Sequence, residues 1–131
     1  MNDIPEARKE LERASEALAS AQLLLQGGLH VDALSRAYYA VLHAAKAALL
    51  AKGIAADSHD AVKRLFGLHL VKTGDIPSAY GIILRKEQDD RLLADYDVAF
   101  EPERERVELR CAEAKKFIES YCKTKTGKET P

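Results

Sequence analysis

The residues best suited to chemistry lie together in one apolar stretch: Ser35, Arg36, Tyr38, Tyr39 and His43. Arg36 and His43 are seven residues apart, two turns of an α-helix, so they project from nearly the same face. Tyr39 stands three residues from one and four from the other, completing a polar row on an otherwise apolar helix. An arginine clamps a phosphate through two parallel hydrogen bonds, and a histidine moves protons near neutral pH. Two such groups on one face, doubled across a two-fold dimer, suit metal-independent RNA cleavage. There the ribose 2′-OH attacks the adjacent phosphate, with histidine as acid or base. The same residues also have a structural reading: an arginine paired to an acid, a histidine satisfied by a tyrosine or a carbonyl, and tyrosines whose hydroxyls are hydrogen-bonded in a core.

A second cluster is Arg91, Asp95, Tyr96 and Asp97. Arg91 and Asp95, four residues apart, can pair on one helix face, although base before acid is the weaker order. The pair is either a solvated or interfacial ion pair, or a pocket arginine held in place by Asp95. The candidate catalytic residues are therefore Arg36 and His43, and the candidate ligand-binding residues Tyr39, Arg91, Asp95 and Tyr96. His59 and His69 are ten residues apart, which is not a metal-ligand spacing on one helix, and His30 falls in a loop. No metal site and no cofactor are expected, since there is also no phosphate loop, dinucleotide fingerprint or serine elbow. Lys63, Arg64, Lys72, Arg85 and Lys86 form at most a weak basic patch.

Five helical segments must position these residues. Leu11, Ala14, Leu18, Ala21 and Leu25 repeat at three- and four-residue spacing, which predicts a helix over 5–26 stopped by Gly27-Gly28. The second, over 32–52, is apolar on nearly every side and so is predicted to be central and the most buried. Ser58 is an N-cap for a third over 58–72. A fourth covers 77–97. A fifth, opened by Pro102, covers 102–123 with Val107, Leu109, Ala112, Phe117, Ile118 and Tyr121 on its buried side. Short connections make neighbours antiparallel. The expected fold is all-α, an up-and-down antiparallel four-helix bundle with an additional short helix. Residues 1–124 form the bundle and 125–131 a polar, flexible tail.

With 131 residues, 47% hydrophobic and 31% charged, the chain fits one globular domain rather than a disordered one. A net charge of −1 gives no global field towards nucleic acid or membrane, so any such contact needs a local basic patch or a partner chain. Cys111 and Cys122 lie about 16 Å apart along one helix, too far to bridge, and read as reduced thiols. No apolar run reaches the roughly 20 residues of a membrane span, and the start of the chain does not read as a signal peptide. The protein is expected in the cytoplasm.

The stretch Ser35-Arg36-Ala37-Tyr38-Tyr39-Ala40-Val41-Leu42-His43-Ala44-Ala45 resembles the signature helix of small prokaryotic HEPN-domain proteins. Lys52-Gly53-Ile54, the run Phe66 to Gly74, and Arg91-Leu92-Leu93-Ala94-Asp95-Tyr96 agree with it in the same order. The resemblance implies a homodimer. It also implies a minimal nucleotidyltransferase partner of the toxin–antitoxin kind, and a ligand that is RNA or a nucleotide. Nuclease members carry arginine, four to six residues, then histidine, late in the bundle. Here Arg91 has no histidine after it, and Asp95 and Tyr96 stand near where one would be. Only Arg36 and His43 keep the spacing, on the second helix. The tyrosine two residues past the histidine in some toxins is Ala45. The resemblance also makes Asp95 the acid expected to pair with Arg36 of a partly buried polar row. The readings stand as a binding module, a ribonuclease using Arg36 and His43, or a structural dimer without ligand.

Overall fold

The computed structural model describes residues 5–121, all-helical among the described residues. Helix α1 spans Pro5–Gln26, α2 His30–Ala51, α3 His59–Phe66, α4 Ser78–Tyr96 and α5 Arg104–Tyr121. A π-helical turn over Gly67–Val71 prolongs α3. The expected tail, the bundle boundary at 124 and the last turn assigned to the fifth helix lie outside the described residues. The four long helices form an antiparallel bundle, and α3 is the additional short one.

The turns explain the topology. After α1 the Leu29 N–H donates to the Leu24 carbonyl and the Gly28 N–H to the Leu25 carbonyl, while Gly28 has φ +77°. Only glycine adopts that left-handed conformation at no cost, and the paired bonds satisfy the last carbonyls of the helix. The same closure recurs at Gly53 (φ +80°), where the Ile54 N–H reaches the Leu49 carbonyl. The first turn is so short that α2 starts at His30, two residues before the expected Asp32. Ser58 caps α3 as expected, its side chain accepting from the Ala61 N–H at 3.0 Å. Helix α5 begins at Arg104 rather than Pro102, because the Glu103 carbonyl accepts the first N–H bonds, from Arg106 and Val107.

Helix α2 packs against α1, α3, α4 and α5 and is the core of the molecule. The buried residues of α1 are all alanines: Ala7, Ala14, Ala17 and Ala21. Leu11, Leu18 and Leu25 pack at the margin of the core. On α5 the buried stripe is Val107, Arg110, Cys111, Ala114, Phe117, Ile118 and Tyr121. Leu109 is 53% exposed and Ala112 is also exposed, correcting their expected burial. From Val107 the helical period passes through 110, 111 and 114, which leaves 109 and 112 on the outer face. Alanines 37, 40, 44 and 48 of α2 are buried inside the bundle itself, so they offer no surface to a second copy.

The seam between α4 and α5 is polar. Asp90, buried on α4, accepts from Arg106 Nη2 at 2.6 Å and from Arg110 Nε at 2.7 Å. Burial alone would raise the Asp90 pKa, but the two guanidinium groups outweigh it and hold the carboxyl below its ordinary value. One turn earlier, Glu87 is 1% exposed, and neither carboxylate oxygen has a hydrogen-bond partner among the described residues. Burial, then the nearby Glu113 carboxylate, push its pKa from 4.5 up to about 10. Folded protein therefore holds Glu87 protonated at neutral pH while the unfolded chain ionises it. The stability this group contributes is full below pH 4.5 and falls as pH rises towards 10. The variant Glu87→Gln keeps the shape without the titration. Circular dichroism melts should place its Tm about 5 °C above wild type at pH 8, with a smaller gain at pH 4.

Candidate functional site

Tyr39 is the hub of the polar face. It is half-buried on α2, with the Arg36 guanidinium 4.7 Å above its ring. Its hydroxyl accepts from Arg91 Nη2 at 3.3 Å, so the two sequence clusters meet through this bond. The Arg91 guanidinium also lies 5.7 Å and 5.8 Å from the Tyr38 and Tyr39 ring centres. Tyr38 is fully buried against Tyr39 in an edge-to-face contact at 5.3 Å, and burial raises its hydroxyl pKa to about 12.

Asp95 anchors Arg91, not Arg36. Its Oδ2 lies 2.9 Å from Arg91 Nε in an ion pair bent outside hydrogen-bond geometry, and its Oδ1 accepts from Ser35 Oγ at 3.2 Å. Arg36 is exposed, which corrects the expectation of a partly buried arginine paired to Asp95. The physical reason is register. Arg91 is one helical turn from Asp95 on the same helix, and Arg36 is solvated and rests on an aromatic face instead. Tyr96, the last residue of α4, is 76% exposed, and no hydrogen bond or ring contact joins it to the cluster.

His43 is held from the other side. Its Nδ1–H donates to Glu10 Oε1 of α1 at 2.6 Å, and Lys46 Nζ lies 3.5 Å from the other Glu10 oxygen. A carboxylate on Nδ1 fixes the ring and leaves Nε2 for other work. The tyrosine or carbonyl expected to satisfy this histidine is thus replaced by an acid of the first helix. Tyr39 and His43 form a ridge between two open clefts. One, of about 380 Å³, is bordered by Arg13, Glu16, Ser20 and Arg36. The other, of about 190 Å³, is bordered by Lys46, Asp57, Ser58 and His59. His59 packs on both tyrosines, 5.5 Å from Tyr38 and 5.9 Å from Tyr39. Burial, then the Arg91 and Lys46 charges, lower its pKa from 6.5, so it is neutral at pH 7. Among the described residues, no group of three or more His, Cys, Asp or Glu is placed to hold a metal ion.

A family model described as the HEPN domain matches residues 7–125. The chain belongs to the HEPN family. A UPF0332 protein of Pyrococcus horikoshii is 46% identical over 92 residues, 70% of this chain and 65% of that protein. A protein of Methanocaldococcus jannaschii named as a candidate toxin is 39% identical over 109 residues, 83% of this chain and 81% of its own length. A UPF0332 protein of Thermotoga maritima is 33% identical over 108 residues, 82% of each chain. This HEPN chain thus spans a little under two thirds of the Pyrococcus relative.

Of the sequence-derived candidates, the HEPN fold brings Arg36, Tyr39, His43, Arg91 and Asp95 to one face and leaves Tyr96 apart. Sequence reasoning missed Glu10 and His59. Glu10 is one of several acids on α1, and only the register of α1 against α2 singles it out. His59 follows the Ser58 cap, a signal that located the helix but not the tyrosines it would meet. The Glu10 contact is testable by NMR of the imidazole nitrogens. Wild type should show His43 with its proton on Nδ1, and Glu10→Ala should shift the neutral ring towards the Nε2–H tautomer.

Proposed function

We propose that this HEPN protein is an RNA- or nucleotide-binding module of a toxin–antitoxin-like system, working in the cytoplasm with a minimal nucleotidyltransferase partner. The observation that carries the reading is Tyr39. An aromatic ring flanked by Arg36, Arg91, His43 and His59, with a cleft on each side, offers a base a stacking face and a phosphate several cationic or hydrogen-bonding groups. The two relatives named as candidate toxins, both from Methanocaldococcus jannaschii, support the toxin side of the proposal. Among the described residues no helix is long and apolar enough to cross a membrane.

The test is fluorescence anisotropy with a labelled single-stranded RNA, competed by ATP. Arg36→Ala and Tyr39→Ala should each weaken binding about tenfold, roughly 1.4 kcal/mol, with a smaller effect on Tm for the exposed Arg36. The absence of any RNA or nucleotide affinity in wild type would leave a structural or regulatory dimer as the reading.

The homodimer belongs to the same proposal, through a different surface from the internal alanines. Ile82, Leu92, Leu93 and Leu109 are exposed on α4 and α5 and supply apolar area for a two-fold contact. Light scattering at micromolar concentration should give twice the 14.5 kDa chain mass, and Leu109→Glu should shift it towards monomer.

A second reading, a metal-independent ribonuclease, is favoured by one observation: the Glu10–His43 hydrogen bond, the arrangement that orients a working imidazole. Arg36 then clamps phosphate in the adjoining cleft.

A further inference from the structure

We propose that His59 is the second proton-transfer group of this face, acting opposite His43 across the Lys46-lined cleft in the scission of RNA. The inference rests on the reading that the Tyr39 face takes RNA, and it assigns the chemistry to the cleft between α2 and the start of α3.

Scission by the neighbouring 2′-OH needs two proton transfers on opposite sides of phosphorus. The 2′-oxygen bonds to phosphorus as the P–O5′ bond breaks. The 2′-OH proton must go to a base, and the departing O5′ must receive one from an acid. The products are a 2′,3′-cyclic phosphate and a 5′-hydroxyl, and no water, metal or cofactor is consumed. A single histidine serves only one of these roles at a time.

This cleft supplies two imidazoles. His43 comes from α2 with Nδ1 committed to Glu10, so Nε2 is its free nitrogen. His59 comes from the first residue of α3, carried by the Ser58 cap and seated on Tyr38 and Tyr39. Both line the same cleft, with the Lys46 ammonium beside them for the negative charge that builds on the phosphoryl oxygens. The groups facing His59 are Tyr38, Tyr39, His43 and Lys46 of α2, Arg91 of α4, and Asp57 and Asp60 of its own segment. Arg91, Lys46 and His43 disfavour a further positive charge, and Asp60 opposes them only in part. The ring is therefore neutral at pH 7 and suited to be the base, and His43, carrying a proton on Nε2 as well as on Nδ1 when it acts, supplies the one that O5′ takes up. Arg36, in the other cleft, holds the adjoining phosphate.

The experiment uses the full chain in the presence of a chelator, with a labelled oligoribonucleotide and its 2′-O-methyl counterpart, which binds without being cleavable by this route. Wild type should cleave the RNA to cyclic-phosphate ends and leave the 2′-O-methyl strand intact. His59→Gln and His43→Gln should each lower kcat/KM at least about a hundredfold, with affinity for the 2′-O-methyl strand held within about threefold. His59→Ala should regain activity with added imidazole, a response that a merely structural histidine does not give. In wild type the acidic limb of the kcat/KM profile should fall below pH 6.5, where His59 titrates. Cleavage by folded His59→Gln within about threefold of wild type overturns the assignment. So does a His59→Ala variant that imidazole does not rescue. Wild type that binds the 2′-O-methyl strand but never cleaves RNA overturns the scission and leaves the binding proposal standing. Wild type that binds neither strand overturns both.

Discussion

The enclosure of α2 governs everything else in this molecule. More than half of its residues are buried, and helices pack against it on several sides. A polar side chain on such a helix has few directions in which to reach water, and each lies along a seam between neighbours. The α1 seam is tight because the buried residues of α1 are all alanines. Small side chains let two helices approach closely, so residues on the flanks of the contact meet across it. Glu10 reaches His43 and Lys46 for this reason. Arg36, Tyr39, His43 and Lys46, at three- and four-residue spacing, therefore emerge as one continuous edge rather than as isolated polar defects.

That edge was legible in the sequence up to the limit of a single helix. The spacing of Arg36, Tyr39 and His43 requires only the helical period, and the structure puts them on one face. What each touches depends on other helices, and there the sequence was silent. Arg36 and Asp95 looked complementary because both lie in signature stretches, yet Asp95 has an arginine on its own helix one turn away. A local pair needs no long-range register, so it wins over a distant one. The helix boundaries followed the same logic. Gly28, Gly53 and Ser58 act within a few residues and were readable, whereas Pro102 misled because the Glu103 carbonyl, not the proline ring, starts α5.

His59 shows where reading along the chain fails. Judged by spacing it had only His69 as a partner, and ten residues make no site on one helix. Its real neighbours are Tyr38 and Tyr39, about twenty residues earlier, brought to it by the turn at Gly53 and the connection that ends at Ser58. Contacts made by loop closure leave no periodic trace. Leu109 and Ala112 differ from expectation for the opposite reason: both are hydrophobic, but their phase along α5 turns them to the outer face.

Helix α4 links stability to the site through two consecutive residues. Asp90 and Arg91 point about 100° apart around the helix, so one faces α5 and the other α2. Asp90 is gripped by Arg106 and Arg110, and α4 otherwise meets α5 over a small area. The ion cluster, with Arg106 at its exposed edge, thus ties α4 to α5, while α4 meets α2 far more extensively. A small rotation of α4 would swing Arg91 away from the Tyr39 hydroxyl, and Asp95 away from Ser35. Replacing a buried ion pair with apolar residues is often no loss to stability, so energy alone is a poor explanation for placing three charged groups there. Orientation is the better one. The charges on α4 and α5 add to the packing on α2 that presents Arg91 at the candidate face.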